Sequence, residues 1–340
     1  MKKLTKIITR ILLIVCVIFL YEKGIQFLYQ NYKDNVIYTN KDRKKVEGNI
    51  ETLVLGTSTA QRGFEPLILN EELDTVSFNL ASSLQPLEGT YALLVDANKT
   101  NPIKRVFLGV TPSVMGREKM NTVAKSLVYD RLFSKRSKFA YLTYGCELEE
   151  VPYITLYSVR VEDYLDFSLA KKNVSMKLTE EFRAGETHKR IYKGNGRITL
   201  NKSFQPKAEL KQPKKKFEIN QEQELYLEKI IHYCKECQIE LILTFVPQTK
   251  TELYSYQNVA EIKKYFQELS QAQQVQYWDF NYYESLKKLF PDAFFEDEKH
   301  LNKEGGDIFT KEFSIIYKNY HAGENVDELF LETCPYFDEE

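Results

Sequence analysis

The sequence predicts an α/β fold, a parallel sheet of about five strands covered on both faces by helices, with a largely helical insertion and an N-terminal transmembrane helix. Three observations predict it. Short apolar runs alternate with stretches of helical periodicity. One long segment without that rhythm interrupts the series. A basic and then apolar stretch opens the chain. With 340 residues, 43% of them hydrophobic, the chain suffices for one sizeable domain with insertions or for two small ones. A net charge of −1 supplies no general attraction to nucleic acid.

Lys2, Lys3, Lys6 and Arg10 precede an apolar run over residues 11–21. Ile7 and Ile8 extend it backward and residues 24–29 forward, toward the roughly twenty residues that span a bilayer. A cleaved signal peptide shares this layout. Tyr21, Glu22 and Lys23 nevertheless stand where small cleavage-site residues are needed, and Cys16 lacks the small neighbours of a lipoprotein site. The expectation is an uncleaved single-pass anchor over residues 1–30, with the remaining chain outside the cytoplasm; a buried or interfacial helix is the alternative. Lys41, Arg43, Lys44 and Lys45 form a second basic cluster that runs against this orientation. Residues 31–50 read as a polar linker.

Strands are expected at 51–55, 74–78, 105–110, 239–246 and 275–280. Helices are expected at 86–98, 221–238, 259–271 and 302–317, the last with Asn302 as N-cap. Strands separated by helices imply a doubly wound, flavodoxin-like sheet over residues 51–320, with chemistry at the carboxyl ends of the strands. An insertion at about 112–218 begins with helical patterns at 122–130 and 162–174. Its second part, 183–216, reads as a polar loop containing Gly185, Gly194 and Gly196. The basic run 211–216 reads as solvated loop or as a contact for an anionic polymer or lipid headgroups. Residues 321–340 read as an acidic tail. The 23 Tyr and 21 Phe read as core packing, or in part as a groove that stacks on sugar rings.

The five cysteines, at 16, 146, 234, 237 and 334, are too scattered for a disulfide framework. Cys234 and Cys237 sit in a helical pattern without the second ligand pair that zinc needs, so a packing role is expected. No metal or organic cofactor is implied.

After the first strand comes Gly56-Thr57-Ser58-Thr59-Ala60-Gln61-Arg62-Gly63. A tight turn here presents a serine hydroxyl and aims backbone N–H groups at the same point. A phosphate-binding turn or a helix N-cap has the same local look, although the lysine and glycine spacing of a phosphate loop is missing. Before the last helix stands Asp297-Glu298-Lys299-His300-Leu301-Asn302. That spacing places a carboxylate against one imidazole nitrogen and frees the other to take a serine proton. Of the four histidines, at 188, 232, 300 and 321, only His300 has this setting.

The pairing of GxS after the first strand with DxxHLN before the last helix resembles the SGNH hydrolase superfamily. Chain order, strand context and the Asp-to-His spacing all correspond. The strings GTSTAQRGFEP and EDEKHLNKEGG look like a membrane-anchored branch of Gram-positive bacteria. That branch includes the D-alanyl-transfer protein of lipoteichoic acid D-alanylation and exopolysaccharide O-acyltransferases. The resemblance covers about residues 50–115 and 220–318. It implies Ser58 as nucleophile, His300 as general base and Asp297 as the residue that orients His300. It also implies an oxyanion hole. The Ser58 N–H is one donor, and the N–H of Ala81 or Ser82 replaces the family's usual glycine. The third block departs from the family: Gly109-Val110-Thr111-Pro112 lacks the asparagine, leaving the Thr111 hydroxyl or Asn79 as substitute donor. The function implied is O-acyl transfer, of acetyl or D-alanyl, to a cell-surface polysaccharide or teichoic acid, beside a polytopic membrane-bound O-acyltransferase. An esterase or deacetylase of the same polymers uses identical residues. A non-catalytic polymer-binding or assembly subunit with the same fold is the third reading. The altered third block favours transfer over hydrolysis.

Overall fold

The computed structural model describes residues 2–30, 36–118, 121–187, 190–200, 202–206 and 213–337. His188 and the first two residues of the basic run, Lys211 and Gln212, lie outside the described residues.

Helix α1 (Lys2–Tyr29) is continuous. Its segment Lys3–Tyr29 is long and apolar enough to cross a membrane, a property that a signal sequence shares. Helix α2 (Val36–Val46) then occupies the stretch expected to be a linker. It packs instead of spanning open solvent, because Arg43 is fully buried. The guanidinium lies 3.1 Å from Asp96 and 3.2 Å from Glu47 and donates to the Arg131 carbonyl at 3.0 Å. The basic cluster around Arg43 is therefore partly an internal bolt.

The first half of the domain runs β1 (Thr52–Gly56), α3 (Ser58–Gly63), α4 (Pro66–Leu73), β2 (Ser77–Asn79), α5 (Leu87–Asn98) and β3 (Arg105–Gly109). The insertion follows with the short helices α6 (Pro112–Met115), α7 (Thr122–Arg131), α8 (Lys135–Tyr144), α9 (Val151–Thr155), α10 (Tyr157–Arg160), α11 (Phe167–Lys177) and α12 (Glu180–Ala184), and strands β4 (Glu186–Thr187), β5 (Arg190–Gly194) and β6 (Arg197–Leu200). The chain returns through α13 (Gln221–Glu236), β7 (Glu240–Phe245), α14 (Lys250–Tyr254), α15 (Val259–Gln273), β8 (Gln276–Asp279), α16 (Leu286–Leu289) and α17 (Lys303–His321).

Strands β2-β1-β3-β7-β8 form one parallel sheet in that order, the flavodoxin-like arrangement expected from the sequence. Alternation along β1 explains the two cores. Leu53 and Leu55 face a cluster with Leu93, Leu94, Ile230 and Ile231 from α5 and α13. Val54 faces the other side, with Leu69 of α4 and Phe309 and Phe313 of α17. Strand β2 begins at Ser77, later than expected, because Asp74 ends α4 in a left-handed conformation with φ 45°.

The stretch expected to be a polar loop contains the antiparallel sheet β4-β5-β6. In it Tyr192 pairs with Ile198, and Asn195 and Gly196 form the turn with φ of 43° and 93°. Two consecutive positive φ values are what a type I′ hairpin turn demands, and Asn-Gly is its preferred pair. The hairpin tip docks on β2, where the Asn79 N–H donates to the Asn195 carbonyl at 2.8 Å. The expected tail also packs: Val326 and Cys334 are buried, and Phe330 bridges to Tyr283. Cys234 is buried on α13 and Cys237, just past its end, is exposed, and both are free thiols.

Candidate active site

Two glycines set the position of the serine. Gly56 ends β1 with φ 124°, and a Cβ there would strike the Gly109 carbonyl oxygen. A Cβ on Gly109 would lie 2.5 Å from the Ala60 Cβ. Without side chains at either point, α3 sits directly on the ends of β1 and β3. Thr57 is the N-cap of α3 and Ser58 its first residue.

A tight loop sets the position of the acid and base. Phe295 bridges to Leu301, and the Glu296 N–H donates to the His300 carbonyl at 2.8 Å. Asn302 closes the loop twice. Its Oδ1 accepts the Gly305 N–H at 3.1 Å, capping α17, and its Nδ2 donates to the Ala293 carbonyl at 2.8 Å. Asp297 and His300 are left facing one another.

The three side chains meet. Ser58 Oγ lies 2.8 Å from His300 Nε2, and His300 Nδ1 lies 2.8 and 2.9 Å from the two Asp297 oxygens. Asp297 Oδ1 also accepts the backbone N–H of Lys299 at 2.9 Å and of His300 at 3.0 Å. Burial opposes charge on Asp297, yet its bond to His300 and these two N–H donors hold it down at about 2. Burial pushes the His300 pKa below its ordinary value, and the nearby Arg62 adds to the effect, while Asp297 pulls the other way. The downward shift favours the neutral imidazole, the state a general base requires.

A second pair beneath the triad was not foreseen. Arg62, one helical turn after Ser58 on α3, forms an ion pair with Glu296, and both are buried. The pair joins the serine helix to the acid–base loop. Arg197 is a further buried cation, 2.6 Å from Glu65 and also paired with Asp307, with Nη2 donating to the Lys303 carbonyl at 3.0 Å. It ties β6 to the start of α17. The only sequence signal for the first pair is an arginine inside a stretch that must pack, and Arg197 gives none, since it stands in a stretch that reads as polar loop.

The oxyanion-hole expectations divide. The Asn79 Nδ2 donates to the carbonyls of Ala60 at 3.1 Å and Phe64 at 3.3 Å, so it holds the end of α3. The Ala81 N–H donates to Asn79 Oδ1 at 3.0 Å, and the Ser82 N–H to the Gly56 carbonyl at 3.2 Å. All three donors are committed inside the fold, which corrects the expectation for Asn79, Ala81 and Ser82. Ser58 and Thr111 remain. The Ser58 N–H is in the first turn of α3, where helical N–H groups lack intrahelical acceptors. Thr111 follows Gly109, which pairs with Gly56, so the two residues emerge side by side from β3 and β1. Its hydroxyl lies 3.1 Å from that of Ser113.

Glu296, Asp297 and His300 offer ligand atoms within 4.8 Å of one another. Each is already engaged, Glu296 by Arg62 and His300 by Asp297 and Ser58, so a cation would have to displace these partners. The donors fit proton transfer better than metal binding.

No protein-family model matches the chain, and no curated protein sequence matches it. Among solved structures, a GDSL-like lipase from Bacteroides thetaiotaomicron is similar at 10% identity and a TM-score of 0.39, over 86% of this chain and all of that one. A Streptococcus pneumonia protein provisionally described as a platelet activating factor is similar at 14% identity and a TM-score of 0.37, over 92% of this chain and 98% of that one. The chemistry of the site rests on the geometry of Ser58, His300 and Asp297 themselves.

Proposed function

We propose that this protein is a serine acyltransferase that acts outside the cytoplasm, moving an acyl group such as acetyl or D-alanyl onto a hydroxyl of a cell-surface glycopolymer. The observation that carries the reading is the unbroken line from Ser58 Oγ through His300 to Asp297 at 2.8 Å per contact. His300 Nε2 takes the Ser58 proton as Oγ attacks the acyl carbonyl carbon. The charge that develops on the carbonyl oxygen is met by the Ser58 N–H, with the Thr111 hydroxyl as second donor. The tetrahedral intermediate collapses, His300 returns the proton to the leaving group, and Ser58 carries the acyl ester. An acceptor hydroxyl then gives its proton to His300, attacks the ester and leaves with the acyl group, restoring the Ser58 hydroxyl. Asp297 holds the imidazole in one tautomer and offsets its charge throughout.

Water is the competing acceptor, and with water the same residues perform ester hydrolysis. The apolar length of α1 supports placement at a membrane, close to polymers anchored there. Delivery of the acyl group across the bilayer falls to a polytopic membrane-bound O-acyltransferase partner. The test is partitioning of one acyl-enzyme. The full-length protein in detergent is acylated with a p-nitrophenyl ester, and product is divided between water and added glycopolymer. Polymer that captures most of the acyl group at concentrations far below that of water supports transfer. Capture no better than water marks an esterase.

A further inference from the structure

The helical insertion grips α1 at one level of its length. Residues 3–20 leave every side chain exposed, whereas Ile25 and Gln30 are buried against the domain. At 1.5 Å per residue, residues 3–20 reach roughly 27 Å, close to the ~30 Å hydrocarbon core. The boundary between lipid and protein therefore falls near Tyr21 and Glu22. The insertion holds this level through Glu22. The Ser158 N–H donates to Glu22 at 3.1 Å, and the Tyr164 hydroxyl donates to the Ser158 carbonyl. Above them, the Tyr29 hydroxyl donates to the Tyr164 carbonyl at 2.5 Å, and Asn173 of α11 donates to the Leu28 carbonyl at 3.2 Å.

The same segment carries apolar side chains turned outward. Leu165 is 76% exposed and Phe167 71%, with Val159 and Leu169 also exposed. Leu165 is the immediate neighbour of Tyr164, which touches α1 at the lipid boundary. Lys171, Lys172 and Lys177 follow on α11, while Glu162, Asp163 and Asp166 flank Leu165 in the segment itself. Apolar groups at the level where a membrane helix leaves lipid match the chemistry of a bilayer interface.

We propose that the 159–169 segment is a second membrane contact, a collar that inserts Leu165 and Phe167 into the outer interface of the bilayer crossed by α1. It rests on the reading of α1 as an anchor. A single helix leaves a domain free to swivel, and the collar fixes its orientation over the lipid surface.

The experiment uses full-length protein in phosphatidylcholine vesicles with brominated acyl chains, which quench tryptophan. Native Trp278 is fully buried and gives a constant background. The variants are Phe167→Trp, Leu12→Trp in α1 and Ile315→Trp on the exposed face of α17. The collar predicts loss of more than about half of the added emission for Phe167→Trp, as expected for a ring 5–10 Å into the interface, and for Leu12→Trp, with Ile315→Trp unaffected. Quenching of Leu12→Trp alone overturns the collar and keeps the anchor. Quenching of none removes the anchor and the collar together. Equal quenching of all three means unspecific adsorption and overturns the collar.

Discussion

At the scale of single residues, Arg62 connects structure to pH dependence. The His300 pKa lies below 6.5, so activity should rise through an acid limb below that pH and level off above it. Arg62 is one of the groups that depress it. Replacing Arg62 alone leaves Glu296 buried without a partner, a loss of about 3–5 kcal/mol. The double variant Arg62→Gln with Glu296→Gln removes the cation without orphaning a carboxylate. Arg62 is the larger influence on His300, beside a Glu296 carboxylate 3.9 Å from Nδ1 that opposes it, so the acid limb of kcat/KM should move modestly to higher pH. An unmoved or lowered limb would mean that Arg62 does not set the His300 pKa. The sequence made Asp297 and His300 legible because three-residue spacing is local chemistry. Arg62 and Glu296 were not legible, since their pairing exists only after α3 and the α17 loop have been brought together by the sheet.

At the scale of elements, the turn before α3 and the β5–β6 hairpin hold the site from two sides. Asn195-Gly196 reads as loop because the surrounding residues are polar, although Asn-Gly between β-type residues is a hairpin signal in its own right. A Cβ on Gly196 would overlap the Asn79 carbonyl oxygen. Asn79 in turn holds the carbonyls of Ala60 and Phe64. Gly196→Ala should therefore lower unfolding stability by about 1–3 kcal/mol through overpacking, as read by urea denaturation. It should also slow acylation of Ser58 in the protein that remains folded. Normal stability in this variant would show that the hairpin does not dock on β2. The five strands were readable from the sequence because burial on both faces leaves nearly unbroken apolar runs. The start of β2 was not, because the left-handed Asp74 depends on how α4 ends.

At the scale of the whole molecule, the insertion is part of the body of the protein. It closes the core over α5 and α13, and it seats α1. Glu88, at the start of α5, is buried in this region, and burial raises its pKa to about 7. In the unfolded chain a glutamate titrates near 4.3. The folded state thus favours the protonated form. The stability this group contributes is complete below about pH 4.3 and is lost as pH rises through 7. Glu88→Gln should raise the melting temperature at pH 8 and change it little at pH 5. An equal change at both pH values would contradict a buried, proton-binding Glu88. The insertion's own sequence shows only scattered helical periodicity. Its burial comes from contacts with distant elements, such as the Arg131 carbonyl accepting from Arg43 of α2 and the Phe133 and Ser134 N–H groups donating to Asp96 of α5.

Whether Ser58 is an activated nucleophile is read by labelling full-length protein with a fluorophosphonate probe. The native chain should be labelled covalently, and labelling should be lost in Ser58→Ala and in His300→Ala. Circular dichroism should show both variants folded. No labelling of the folded native chain, or labelling that survives in Ser58→Ala, would contradict an activated Ser58.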